Sequence, residues 1–151
     1  RWTDCHLSMV LDCIEAGAHV YCEKPMTWNL QDADRIVAAA DAAHRKVAVA
    51  HQAVYLPRVQ NLRSQLDTGC IGALQQLHAV GKQDRRSGGE DMIVLGTHLF
   101  NLMRFLAGDV QWISSHVTVE GRAIAQEDIT EGIEPIGPIA GDSVVIDMRN
   151  F

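Results

Sequence analysis

Nowhere does this sequence stay apolar for the ~20 residues that a membrane-spanning helix needs. Nothing near its start joins a basic segment to an apolar one as a secretory leader does. CxxC pairs are missing too: Cys5, Cys13, Cys22 and Cys70 are scattered, which speaks against a zinc site and gives no disulfide framework in a chain this long. The four are expected to be reduced, mostly buried thiols. Basic charge is in deficit, with 13 Lys and Arg against 19 Asp and Glu for a formal net charge of −6. That sign suits a phosphate backbone poorly, so no nucleic-acid partner is expected. Repeats and low-complexity tracts are also absent. With neither leader nor span in view, a cytoplasmic location is the default, which an export signal upstream would change.

What is present is a globular balance, 47% hydrophobic and 21% charged over 151 residues, enough to bury a real core. The chain opens on "RWTDCHLSMV" without methionine and closes on "VVIDMRNF" within a strand-like run. Both ends therefore read as interior to a longer protein. Leu7, Val10, Leu11 and Ile14 fall at helical spacing before Gly17. A short strand over 18–22 follows, then a helix that Asn29 caps, with Leu30, Ala33, Ile36, Val37 and Ala40 on one face. "KVAVAH" (46–51) is a second strand. Helix, strand, helix, strand with short links is the pattern of a parallel α/β sheet, yet the GxGxxG turn of a complete dinucleotide fold is nowhere in the chain.

Beyond His51 the pattern changes. Val59, Leu62 and Leu66 predict a helix ending at Gly69, and "ALQQLHAVG" (73–81) a strand. A charged loop, "KQDRRSGGED", precedes a helix carrying Leu95, Leu99, Leu102, Met103 and Leu106 and closed by Gly108. "VQWISSHVTVE" and "DSVVIDM" read as strands of an antiparallel or mixed sheet, with 129–141 a long loop between them. The fold expected is α/β: the C-terminal half of a Rossmann-type parallel sheet in 1–52, then part of an α+β domain with an open, largely antiparallel sheet in 53–151.

The stretch "HVYCEKPMTWN" places Glu23, Lys24 and Pro25 where the first strand runs out. Ligands of open α/β sheets bind beyond the carboxyl ends of the strands, and Pro25 stiffens the corner, a cis Lys24-Pro25 bond being one way to hold the lysine inward. Two readings fit: a surface ion pair in a turn, or a cleft lysine that hydrogen-bonds a substrate hydroxyl.

"EAGAHVYCEKPMT", "ADRIVAAADAAHRKVAVAHQ", "LRSQLDTGCIGAL" and "GTHLFNLMRFLAGD" together resemble, in order and spacing, the glucose–fructose oxidoreductase / inositol dehydrogenase (Gfo/Idh/MocA) family over most of residues 1 to about 110. The resemblance implies an NAD- or NADP-dependent oxidoreductase acting on a hydroxyl carbon of a sugar or cyclitol, a homo-oligomer when complete. It implies Lys24 and His98 as the catalytic pair. Trp2, His6, Glu23, Lys24, Pro25 and Gln52 would line the cofactor, and Tyr55, Arg85 and His98 the substrate. No metal is expected. Arg85 belongs to "GKQDRR", which could clamp an anionic group or be a solvated loop.

His98 matches the family's acid–base histidine, and imidazole suits proton exchange near neutral pH. It would also suit a packed position, about 60° off the Leu95 direction on the helix margin. One departure stands out. Four residues earlier, where the family carries an aspartate, stands Val94, and the nearest upstream acid, Asp91, is seven residues away. Asn101 replaces a common aspartate and Val54 a common arginine. Two other readings stay open: an NAD-dependent glycoside hydrolase of the same fold, and a non-catalytic nucleotide- or sugar-binding protein. His19, His44, His51, His78 and His116 have no ligand spacing and read as structural or exposed.

Overall fold

A computed structural model describes residues 3–81, 86 and 88–149. In chain order its elements are α1 (His6–Glu15), β1 (Val20–Cys22), α2 (Leu30–Ala42), β2 (Val47–Val49), α3 (Pro57–Asp67), α4 (Gly88–Asp91), a π-helical turn (Met92–Gly96), α5 (Thr97–Ala107), β3 (Trp112–Val119), β4 (Arg122–Ala123), β5 (Thr130–Glu131), β6 (Pro138–Ile139) and β7 (Ser143–Arg149). They form two compact units. The first comprises Arg1–Ala50 and Thr130–Ile139, the second His51–Ile129 and Ala140–Phe151. No helix among the described residues is long and apolar enough to cross a membrane.

The first unit is built on β1 and β2, which run parallel with Val20 opposite Val47 and Cys22 opposite Val49. His6, Val10 and Ile14 recur every four residues on α1 and are its buried positions. Gly17 takes φ 82° and closes the helix with its N–H on Ile14 O, a conformation that glycine adopts without a Cβ penalty. The Asn29 side chain accepts the Asp32 N–H at 2.8 Å, an N-cap worth about 1 kcal/mol. On α2 the buried positions are Ile36 and Ala40, and Ile36, fully enclosed, contributes about 1.5–3 kcal/mol of apolar burial. Leu30 and Val37, read as part of the same face, are exposed. They share a row about 100° around the helix from Ile36, so the buried stripe is narrower than the apolar one.

Segment 130–139 is not a plain loop. β5 and β6 pair antiparallel, Ile136 is buried, and Gly137 (φ 84°) lies under the Trp28 ring, where a Cβ would come within 3.0 Å.

In the second unit, β3 pairs antiparallel with both β4 and β7, in the order β4-β3-β7. Alternation puts Val117, Val144, Ile146 and Met148 on one half-buried face. The expected strand over 73–81 does not form: it joins no ladder among the described residues, and Leu74 and Leu77, three apart, fall on opposite faces of an extended chain and give it no single apolar face to bury. α3 starts with Pro57 at its first turn, where a missing N–H costs nothing. From it, Arg63 donates to Phe105 O and Leu106 O at 2.6 and 3.1 Å, satisfying carbonyls at the C-terminal end of α5.

The cysteines are free, but only Cys22 is buried; Cys5 is half-buried, and Cys13 and Cys70 are exposed. Cys13 lies one residue off the buried stripe of α1, and Cys70 follows α3, a helix without a buried residue. Burial first, then the Glu23 charge, raise the Cys22 thiol pKa, which keeps it protonated at neutral pH.

Arg122 grips Asp128 through two hydrogen bonds of 2.7 and 2.6 Å, and the Ala125 N–H donates to the same carboxylate. These contacts, Arg122 first, pull Asp128 down to about 2. A carboxyl depressed on folding stabilises the fold above its unfolded value of about 4. That contribution disappears as pH falls through about 2. The difference in Tm between wild type and Asp128→Asn should therefore be constant near pH 6 and shrink progressively below about pH 4. A difference independent of pH would show that the carboxylate charge is not what matters.

Candidate active site

Chemistry-bearing residues collect at one place in each unit. In the first, β1 ends at Cys22, whose carbonyl accepts the Ala50 N–H, and Glu23, Lys24 and Pro25 follow at the strand's carboxyl end. The Lys24-Pro25 peptide is cis. Pro25 is buried and Lys24 half-buried. His6, 6% exposed, donates its Nδ1–H to Pro25 O at 2.9 Å, so α1 and the corner are joined by a buried hydrogen bond. Glu23 accepts the Lys24 backbone N–H at 3.0 Å. Its carboxylate thus braces the backbone that presents the lysine.

The second site gathers on the 3-10 turn Gln52–Tyr55 and on α5. Gln60 donates to Val54 O, and Val54 is buried; these two contacts anchor the turn. Gln52 and Tyr55 are exposed on it. His51, just before the turn, faces His98 in the first turn of α5. Their Nδ1 atoms are 3.5 Å apart, and the rings meet edge to face, 5.3 Å between centroids and 87° between planes. Both are half-buried. The hydroxyl oxygen of Thr97, the residue before His98, is buried without a hydrogen-bond partner among the described residues.

Neither upstream candidate places an acid by spacing. Val94 is 7% exposed, an apolar side chain in the interior. The helical count from Asp91 to His98 also fails, because Met92–Gly96 is π-helical and its wider turn changes the phase. The Asp91 carboxylate lies over Gly81, where it would overlap a Cβ. Trp2 and Arg85 lie outside the described residues. Among the described residues no group of three or more His, Cys, Asp or Glu could hold a metal ion. His51 is the residue that spacing arguments missed. A signal existed, since it follows a parallel strand directly, as the Lys24 corner does.

A family model described as "Oxidoreductase family, NAD-binding Rossmann fold" matches residues 2–51. Inositol 2-dehydrogenase of Gluconacetobacter diazotrophicus is 33% identical over 121 residues. Residues 2–51 thus match the Gfo/Idh/MocA family model, and the chain is similar to named dehydrogenases over most of its length. D-apiose dehydrogenase of Paraburkholderia graminis, another relative, is 30% identical over 134 residues. These matches take in 77% and 82% of this chain and 36% of each relative, so the chain spans little more than a third of their length. An NAD binding oxidoreductase from Klebsiella pneumoniae superposes with a TM-score of 0.62 at 26% identity, over 78% of this chain and 35% of that one. The mixed α/β architecture is thus the Gfo/Idh/MocA one. For a dinucleotide, the residues at hand offer one feature: a half-buried lysine at the carboxyl edge of a parallel strand, where open α/β sheets hold their ligands. A glycine turn for the pyrophosphate is not in this stretch.

Proposed function

We propose that the full-length protein is an NAD(P)-dependent dehydrogenase of a cyclitol or sugar hydroxyl, and that this chain supplies its proton-handling residues. The observation that carries the reading is the Lys24 corner. A half-buried lysine stands on a buried proline that His6 holds from behind, within the residues matched by the NAD-binding family model. The inositol and apiose dehydrogenases among its relatives support a cyclitol or sugar as substrate.

A nicotinamide dinucleotide, held by Glu23, Lys24, Pro25 and Gln52, would supply the hydride-accepting chemistry. By resemblance, Lys24 has the role of hydrogen-bonding the hydroxyl oxygen as negative charge grows there, and His98 that of taking the proton at Nε2. Glu23, Pro25 and His6 keep the lysine in place, with Gln52 on the cofactor side and Tyr55 on the substrate side. Trp2 and Arg85 belong to the same proposal by resemblance alone. A homo-oligomer is proposed for the full-length protein; the face of β3 and β7 that leaves Trp112 and Val145 exposed supports it.

The experiment is NAD(P)H formation by the full-length protein with a panel of cyclitols and sugars, comparing wild type with Lys24→Ala. Turnover is expected in the wild type, and a loss of about 10²-fold or more in kcat in the variant, with cofactor affinity retained. Free sugar released from a glycoside without net NADH would move the reading to glycoside cleavage. Cofactor binding with no turnover of either kind would overturn it.

A further inference from the structure

Four residues before His98, where the resemblance expects an acid, stands buried hydrocarbon, Val94. An imidazole stands beside His98 instead. We infer that His51 is the positioning residue for His98, holding it with Nδ1 protonated and Nε2 bare. The inference rests on the dehydrogenase reading for its catalytic meaning, though not for its geometry.

The polarity follows from proton counting. A neutral imidazole carries one N–H, and which nitrogen carries it is set by the bond the other makes. With the two Nδ1 atoms facing each other, one must donate and one accept. Suppose first that His51 donates. His98 then carries its proton on Nε2 and has no lone pair there to receive another. Any protonation of His98 would also set two N–H groups against each other.

With His98 as donor both problems vanish. Nε2 is bare and can take the hydroxyl proton. The resulting imidazolium still donates from Nδ1 to the same acceptor, so nothing need move during the step. Only this arrangement is satisfied in both protonation states of His98. His51 stays neutral, with its own N–H on Nε2.

The geometry allows the bond. At 87° between planes, an in-plane N–H of one ring can meet the in-plane lone pair of the other. The separation of 3.5 Å is longer than the 2.7–3.2 Å typical of a formed bond. Catalytic hydrogen bonds are often long before substrate arrives and tighten in the complex. The surroundings hold the pair: His51 leads directly into the turn fixed by Gln60 on Val54 O, and Arg63 ties α3 to the end of α5. A carboxylate would stabilise imidazolium by charge. A neutral imidazole does so only as an acceptor, leaving His98 an easier proton donor in the reverse direction.

The test uses full-length, ¹⁵N-labelled protein as wild type, His51→Phe and His51→Asn, the last keeping an amide acceptor near the Nδ1 position. Long-range ¹H–¹⁵N spectra at about pH 8, above the ordinary imidazole range, report each tautomer, and His98→Gln assigns the signal. His98 is expected as the Nδ1–H form in wild type and His51→Asn, and as Nε2–H in His51→Phe. In turnover, His51→Phe should lose about 10–100-fold in kcat with little change in KM, the scale typical of a lost orienting partner. His51→Asn should recover most of it. An Nε2–H His98 in wild type, or a tautomer unmoved by His51→Phe, overturns the proposal. If the phenylalanine variant does not fold, the wild-type tautomer decides. Should the tautomers behave as expected while wild type turns over nothing, the pairing stands and the dehydrogenase reading falls.

Discussion

Changing His98 to alanine in the full-length protein should lower kcat by about 10²–10⁴-fold, the range a positioned general acid–base group supplies, while leaving dinucleotide affinity intact. The size follows from what would be left. Without an imidazole, the hydroxyl proton has to pass to water. Val94 can accept nothing, and Asp91 is turned to Gly81. His98 is half-buried, so truncation also costs some packing; a thermal melt beside the kinetics separates lost fold from lost chemistry. A variant that melts like wild type but keeps kcat within a few-fold would remove His98 from the proton path. Equal losses of binding and turnover would assign it to holding substrate instead.

Gly88→Ala should destabilise the second unit by roughly 2–5 kcal/mol. About 1–2 of this comes from an L-residue held at positive φ, and about 1–3 from overpacking. Gly88 sits at φ 66°, where a Cβ would overlap Gly141 O and approach the Asp142 Cα to 2.9 Å. Those atoms are backbone and cannot swing away. Gly141 is no freer, because it has φ 86° itself and a Cβ on it would overlap the Val117 side chain and meet Thr118 O at 3.0 Å. Two glycines therefore meet where the start of α4 crosses the approach to β7. Chemical denaturation of wild type and variant measures the loss. A change under about 0.5 kcal/mol, the level of an ordinary surface substitution, would mean that the backbones are farther apart than described.

Local signals carried much of the architecture. Asn29 before a periodic run, Gly17 and Gly108 after one, and the Pro25 corner each act through the chain's own geometry, so they could be read without knowing what surrounds them. The strand-like runs 110–120 and 142–148, read as part of an antiparallel or mixed sheet, pair antiparallel. What failed depended on partners. The run 73–81 reads as a strand and has no ladder among the described residues. Segment 129–141 carries the glycines and proline of a loop, and its packing rests on one isoleucine, Ile136, with no period to betray it. In the site, Lys24 was legible because strand, charge and proline are contiguous. His51 had only its place after a strand to mark it, because its meaning comes from a residue 47 positions later. The π-helical turn was equally hidden: MIVLG fits an ordinary helix, and the i−4 count that singled out Val94 assumed one.

The ribbon of β5 and β6 bears on any attempt to dissect this protein. Since Thr130–Ile139 counts with the first unit, neither body is an unbroken length of polypeptide, and a restriction cut at the codon for His51 does not separate modules. A product beginning there would drag Ile136 along as an orphaned greasy plug, and its complement would lack the glycine that roofs Trp28. Swapping this nucleotide-side piece between relatives would require exchanging two tracts together, so recombination within the family should tolerate breakpoints at that boundary poorly.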